Sequence, residues 1–286
     1  MIYVATRDSQ LALAQTRALI EDWSRYTHEA FELVPLTTQG DKNLAPSFFK
    51  TGDKGIFTKE LDQALLDGRA DIAVHSLKDL PYQVPEGLSL VGVGLKEDPR
   101  DAWVSKQYPA IQDCPAGARV GTSSVRRTAQ VQHYYPDLKV LPVRGNVQRR
   151  LEQLDTDHFD GLILAASGLK RLGLDSRIAQ HLPLDTFTPA IGQGYLGVTA
   201  PAEKGFSFLE TWQDGAVWDQ VAALRVLMVH LEGGCSLPLG AIWDHGQLVV
   251  FLQDPSVRKV ITRSIDIEDS YLHTAHQMIK YLQTQK

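Results

Sequence analysis

At 286 residues, 43% of them hydrophobic, the chain is too long for one ordinary core and fits two or three modest domains. Its 29 Lys+Arg against 34 Asp+Glu give a net charge of -5, so the surface as a whole repels nucleic acid and anionic membranes and any anion site must be local. Two cysteines, Cys114 and Cys235, neither make a zinc site alone nor resemble a secreted disulfide framework, and no basic segment followed by a long apolar one opens the chain. The expectation is a soluble, cytoplasmic protein with neither nucleic acid nor membrane as a partner.

The first half alternates short apolar runs with helical periodicity, the pattern of βα units around a mostly parallel sheet. A strand is predicted over residues 2–6, then Ser9 as the N-cap of an amphipathic helix carrying Leu11, Ala14, Ala18, Leu19 and Trp23. A second strand covers 31–38. The polar stretch 39–55 lacks periodicity, and a loop that long in a compact domain is usually a lid or a binding segment. A helix follows over 57–66, with strands at 71–75 and 88–94. Around Lys96-Glu97-Asp98-Pro99-Arg100-Asp101 the composition turns charged, which predicts a hinge. The pattern then restarts, with strands at 119–122, 138–143 and 161–165 and helices at 124–134 and 147–154. Two similar αβ halves joined by a hinge predict a clamshell. From Trp212 onward a helix over 217–231, a glycine-bearing loop, antiparallel strands at 248–253 and 260–267 and a closing helix over 271–282 predict a small α+β third domain.

Ligands of open α/β sheets bind at the carboxyl ends of strands, and the unusual polar residues fall there. Arg7 and Ser9 follow the first strand; His75, Ser76, Lys78 and Asp79 follow the strand at 71–75. Thr122, Ser123, Ser124, Arg126 and Arg127 follow the next half's first strand, and Arg144, Gly145, Asn146, Arg149 and Arg150 its second. Lys170 and Arg171 follow its third. Together they define one cationic crevice. Gly121-Thr122-Ser123-Ser124 at a helix start is an anion nest, and guanidinium forks in the next turn suit carboxylate or phosphate. A single arginine is by default a solvated face; a set placed after strands is not easily explained so.

Asp79 before Leu80-Pro81 reads in isolation as a turn former, but inside a cationic crevice it suits general acid/base work or cation stabilisation. An isolated cysteine is usually a small buried hydrophobe. In Gly233-Gly234-Cys235-Ser236-Leu237-Pro238, however, the glycines clear bulk from the thiol and the proline stiffens the exit, as a nucleophile or attachment point requires. The histidines share no metal spacing, so no metal site is expected. Gly52-Asp53-Lys54-Gly55 lacks the order of a phosphate loop. From the residues alone, the reading is a clamshell for a polyanionic small molecule, with an acid in the cleft and a thiol on a loop facing it. A non-catalytic anion receptor is the first alternative. A nucleic-acid binder is the second, opposed by the acidic net charge and by the scarcity of aromatics among the arginines.

Specific motifs carry a family resemblance. Gly55-Ile56-Phe57-Thr58-Lys59-Glu60, Ala73-Val74-His75-Ser76-Leu77-Lys78-Asp79, Gly121-Thr122-Ser123-Ser124-Val125-Arg126-Arg127, Arg144-Gly145-Asn146-Val147, Gly168-Leu169-Lys170-Arg171-Leu172-Gly173, Gly192-Gln193-Gly194 and Glu232-Gly233-Gly234-Cys235 resemble hydroxymethylbilane synthase, also called porphobilinogen deaminase. The resemblance runs from Val4 to Gly240. It implies an α/β fold of two periplasmic-binding-protein-like αβ domains forming a cleft, plus a small α+β C-terminal domain. Domain 1 would comprise 1–94 and 190–211, domain 2 95–189 and domain 3 212–286. The implied activity joins four porphobilinogen units head to tail into linear hydroxymethylbilane, releasing ammonia, on a dipyrromethane primer attached through Cys235. Asp79 would be catalytic, stabilising the azafulvene left when ammonia departs. Cofactor binding would fall to Lys78, Asp79, Thr122, Ser123, Ser124, Arg126, Arg127, Arg144 and Gly145. Substrate binding would fall to Arg7, Ser9, Lys50, Lys54, Arg144, Arg150, Arg171 and Gln193. The family also implies a monomer. Departures lie at Val198-Thr199-Ala200-Pro201, which lacks the expected charges, at Leu224-Arg225 in place of Glu-Arg, and in a short C-terminal domain.

Overall fold

The structure, a computed structural model, describes residues 1–42, 55, 57–231, 237–254 and 259–285. Strand β1 (Ile2–Arg7) buries Val4 and Ala5, and Ser9 caps helix α1 (Gln10–Trp23) by accepting from the Ala12 amide at 3.3 Å. Strand β2 (Phe31–Leu36), the short helix α2 (Gln39–Lys42), helix α3 (Lys59–Leu66), strand β3 (Ile72–Ser76) and a 3-10 turn (Leu77–Asp79) lead to strand β4 (Leu88–Gly94).

The chain then leaves this sheet. Strand β5 (Asp101–Val104) opens a second one, followed by β6 (Arg119–Gly121), α4 (Val125–Tyr134), β7 (Lys139–Leu141), α5 (Val147–Asp155), β8 (Gly161–Ala165), α6 (Ala166–Arg171) and β9 (Gln180–His181). It returns through strand β10 (Leu196–Pro201) and helix α7 (Ser207–Trp212). The first sheet has the order β2-β1-β3-β10-β4 and the second β7-β6-β8-β5-β9. In each, three parallel strands are followed by one antiparallel strand, β10 or β5, which the chain enters from the other sheet. The two halves are thus built alike and linked by two crossing segments. These run side by side, the Glu97 amide donating to the Gly194 carbonyl at 3.0 Å. Gly194 has φ +96°, and a β-carbon there would meet the Glu97 oxygen at 2.5 Å, so only glycine lets the crossings touch.

Helix α8 (Gly215–His230) starts on an Asp214 cap, and strands β11 (Leu239–Asp244), β12 (Gln247–Gln253) and β13 (Val260–Asp266) form an antiparallel meander covered by α8 and helix α9 (Tyr271–Thr284). The mixed α/β class with a small α+β end is as expected. Several expected elements shift by a few residues, and among the described residues seven were not anticipated: α2, β5, α6, β9, β10, α7 and β11. The expected hinge ended on Asp101. Asp101 instead begins β5 and is fully buried, because two arginines supply its counter-charge. The stretch 39–55 holds α2, and most of the remainder lies outside the described residues. Among the described residues no helix is long and apolar enough to cross a membrane.

Packing around the second sheet has little slack. Gly161 lies against Trp103, which is fully buried, and an added β-carbon would come within 2.0 Å of the indole. Gly161→Ala is therefore expected to destabilise the protein by about 1–3 kcal/mol, read as a lower urea midpoint at unchanged slope.

Candidate functional site

The carboxyl ends of β1 and β3 form one wall of an open cleft lined by Arg7, Gln15, Phe57, Thr58, Ser76 and Asp79. Arg7 is held edge-on by Asp41, which accepts from its Nε at 3.2 Å and from Nη2, and the Phe57 ring lies 4.3 Å from the guanidinium carbon. Thr38 fixes Asp41 with a 2.6 Å hydroxyl bond. Burial would raise the Asp41 carboxyl, but Arg7 and Thr38 overcome it and hold the group below its ordinary value. His75, fully buried and bonded to the Thr199 hydroxyl at 2.9 Å, is lowered to about 4 by burial and by Arg7, so it is neutral at pH 7. It supports the sheet rather than shuttling protons.

The 3-10 turn after β3 sends its two charged residues to different sides. Asp79 lines the cleft, while Lys78 points inward, its Nζ 3.3 Å from the Gln193 amide oxygen. Burial, then the charge of Arg127, lowers the Lys78 ammonium to about 8, with Asp79 and Asp101 opposing.

Behind Lys78 lies a buried ionic cluster. Arg126 donates to Asp101 at 2.8 Å, to Gln130 at 2.9 Å and to the Thr188 carbonyl at 2.8 Å. Arg127 donates to Asp101 at 2.7 and 3.0 Å and to the Ile163 carbonyl at 3.0 Å. Gln193, from the returning crossing segment, bonds Asp101 at 2.9 Å and the Pro99 carbonyl at 2.7 Å. Burial would raise the Asp101 carboxyl, yet the two guanidiniums hold it far below the carboxylate range. Burial lowers Arg126 against the pull of Asp101, and its Nε is buried without a hydrogen-bond partner among the described residues.

The anion nest is locally well determined. The Ser123 hydroxyl donates to the Val143 carbonyl at 2.6 Å and accepts from its amide at 3.1 Å, tying the loop after β6 to the loop after β7. Thr122 accepts from the Ser124 amide, and Ser124 caps α4. In the second loop the Gly145 carbonyl accepts from Arg150 Nε at 2.8 Å, and the Arg144 carbonyl accepts from Gln153 at 2.9 Å. Burial, then Arg127 and Arg144, lowers Arg150 to about 10, and Asp79 opposes this across the cleft. Asp79 from the first sheet thus shares a field with Arg150 from the second.

The structure therefore gathers Lys78, Asp79, Arg126, Arg127, Arg150 and Gln193, with Arg7 on the Asp79 wall. Besides Arg126, Arg127, Gln193 and Ser123, whose protein partners are given above, two further expected ligands have other engagements. Arg171 Nη2 donates to the Leu95 and Gly194 carbonyls, both at 2.7 Å, which clips the crossing segments together, and the Ser9 hydroxyl caps α1. Lys50, Lys54 and Cys235 lie outside the described residues. Asp101 and Asp41 were not anticipated as site residues. Excess arginine around a buried point requires a carboxylate, but nothing in the spacing identifies which one.

A family model described as "Porphobilinogen deaminase, dipyromethane cofactor binding domain" matches residues 2–206. A porphobilinogen deaminase of Desulforudis audaxviator is 46% identical over 254 residues, covering 87% of this chain and 82% of that protein. One from Chromobacterium violaceum is 47% identical over 243 residues, covering 84% and 79%. Among solved structures, a periplasmic substrate-binding protein of an ABC transporter from Coxiella burnetii aligns with 82% of this chain and 97% of its own, at 14% identity and a TM-score of 0.47.

Proposed function

The chain belongs to the porphobilinogen deaminase family, and on that premise we propose how its cleft performs the family's reaction. The activity is that of a transferase, hydroxymethylbilane synthase: four porphobilinogen units are joined with release of ammonia on a dipyrromethane cofactor. One observation carries the assignment of the site. Lys78, Arg126, Arg127 and Arg150 converge as four cations, while among the described residues Asp79 and Asp101 are the carboxylates within their field. Surplus positive charge held in a poorly solvated crevice requires anionic ligands, and pyrrole acetate and propionate groups are such ligands.

The residues present fit the cofactor, since Arg126 Nε is a buried donor with no acceptor among the described residues. When bound, dipyrromethane supplies the electron-rich pyrrole carbon to which the next unit joins. Lys78 on the turn after β3, Arg126 and Arg127 in the first turn of α4 behind Thr122, Ser123 and Ser124, and Arg144 beside Gly145 would hold its carboxylates. Arg7, set edge-on by Asp41, and Arg150 bind those of the substrate, with Lys50 and Lys54 from the segment at 39–55. Arg171 and Gln193 serve the same site by holding the crossings in place. Asp79 faces the substrate from the cleft wall and stabilises the cation left by departing ammonia. We assign domain 1 to 1–94 and 190–211, domain 2 to 95–189 and domain 3 to 212–286, supported by the membership of the three sheets. We further propose a cytoplasmic monomer without nucleic-acid or membrane partners, the monomer supported by the family resemblance and the lack of polyanionic partners by the net charge of -5; sedimentation checks the oligomeric state.

Attachment falls to Cys235. The other thiol, Cys114, is pushed up to about 11 by burial, then by Asp160 and Asp113, which keeps it protonated and unreactive. Intact mass is expected to exceed the sequence mass by two pyrrole units, and Cys235→Ala to abolish the excess. An adduct retained in that variant, or mapped to Cys114, refutes the assignment.

A further inference from the structure

Helix α8 has two working faces. Leu224 and Leu227 enter the core of the third sheet, while Val221 packs with Leu77, Leu80 and Val93, that is, with the turn carrying Lys78 and Asp79 and with β4. One turn further along α8, Arg225 reaches the same region. Its Nη2 donates to the Pro81 carbonyl at 2.7 Å and to the Tyr82 carbonyl at 2.9 Å. A guanidinium nitrogen carries two N–H groups in fixed directions, and here each has its own acceptor; a rotatable ammonium cannot reproduce that geometry. The bonds join positions 144 and 143 residues apart. From His230, where α8 ends, the chain runs directly into the Cys235 segment.

We propose that Arg225 is a positioning residue for the reaction: by holding the carbonyls that follow Asp79, it fixes the catalytic turn to the helix that leads into the cofactor-bearing segment. The proposal rests on the assignment of Asp79 above. Four observations lead to it: the apolar seat of Val221 on the turn, the paired bonds of Arg225, the position of Asp79 within the turn, and the continuity of α8 with the Cys235 segment. A turn free to shift by an ångström would misplace the carboxylate, and misplacement on that scale costs about 10²-fold in rate. Arg225 bonds the backbone that follows Asp79 and does not line the Asp79 cleft, so its effect passes through the backbone of the turn.

The test compares Arg225→Met, which keeps the aliphatic stem and removes the donors, with Arg225→Lys, which returns a single ammonium. Both are prepared as holoenzyme, with cofactor loading verified by intact mass. In Arg225→Met, amide hydrogen exchange over residues 77–84 is expected to speed up by about tenfold or more, with exchange in α8 and in β11 to β13 unchanged. kcat is expected to fall by about tenfold or more while KM stays within about twofold, and Arg225→Lys to lie between. Faster exchange spread evenly over α8 and its sheet, with normal kcat per folded molecule, would mean that Arg225 only glues the helix down, and overturns the proposal. Should Arg225→Met not fold, Arg225→Lys decides: unchanged exchange at 77–84 and unchanged kcat overturn it equally. If Asp79→Asn proves active, the catalytic reading of the turn fails, while the exchange result still reports whether Arg225 holds it.

Discussion

Asp79→Asn is expected to leave the fold and the covalent cofactor intact and to lower kcat by about 10²–10⁴-fold, the range of a lost acid/base group. Asp79 lies on the wall of the cleft, and among the described residues it makes no ion pair within 4.0 Å, so an isosteric amide breaks no direct salt bridge and only weakens the field at Lys78 and Arg150. Ammonia leaves only if the positive charge on the remaining methylene is stabilised, and in the proposed mechanism the Asp79 carboxylate does this and later manages a proton as the pyrrole regains aromaticity. An amide accepts a pyrrole N–H bond but supplies neither the charge nor the basicity. Asp79→Glu keeps the charge and moves it by one methylene, so it should retain more activity than the amide. Single-turnover porphobilinogen consumption by cofactor-loaded variants is the measurement. If the Asn variant equals or exceeds the Glu variant, charge at this position is not the catalytic element.

What could be read from the sequence follows from what each residue must bury. Strands β4 and β8 were anticipated to the residue, because continuous apolar runs between turn signals have few other outcomes. Strand β10 was missed although every residue in it is buried. Its Gly197, Thr199, Ala200 and Pro201 look like loop residues, but a central strand pressed on both faces has room only for small ones. A β-carbon on Gly197 would meet Leu77 at 2.9 Å. Strand β5 was hidden by Asp101, since a carboxylate ordinarily marks a surface. Its neutralising partners stand 25 and 26 residues later, a pairing that only the folded sheet creates.

The site divides in the same way. The cationic crevice was legible because strand ends in an α/β protein converge whatever their loops contain. The separate tasks of its cations were not. Arg126 and Arg127 share Asp101, Arg171 bonds backbone on both crossing segments, and the adjacent Lys78 and Asp79 face apart. Those differences follow from burial and from partners distant in sequence, which local pattern does not encode.

Asp101→Asn is expected to be the most destabilising single change in the cleft, at about 3–5 kcal/mol in cofactor-free protein, the usual cost of breaking a buried ion pair from one side. The amide matches the carboxylate in shape, so packing is preserved and the loss is electrostatic. Arg126 and Arg127 then face each other uncompensated at 4% and 7% side-chain exposure, with Lys78 close behind. Cofactor carboxylates would neutralise part of that charge, so the variant should lose less stability as holoenzyme than as apoprotein. The pH dependence has a definite sign. Asp101 has a folded pKa far below its unfolded value of about 3.9, so its stabilisation is complete above that pH and declines as pH falls toward the folded value. The stability gap between wild type and Asp101→Asn should therefore be flat from about pH 8 to pH 5 and narrow below about pH 4. Urea titrations of both forms across that range are the check. A gap under about 1 kcal/mol, or one unchanged down to about pH 3, would show that the guanidiniums of Arg126 and Arg127 do not depend on Asp101 for their counter-charge.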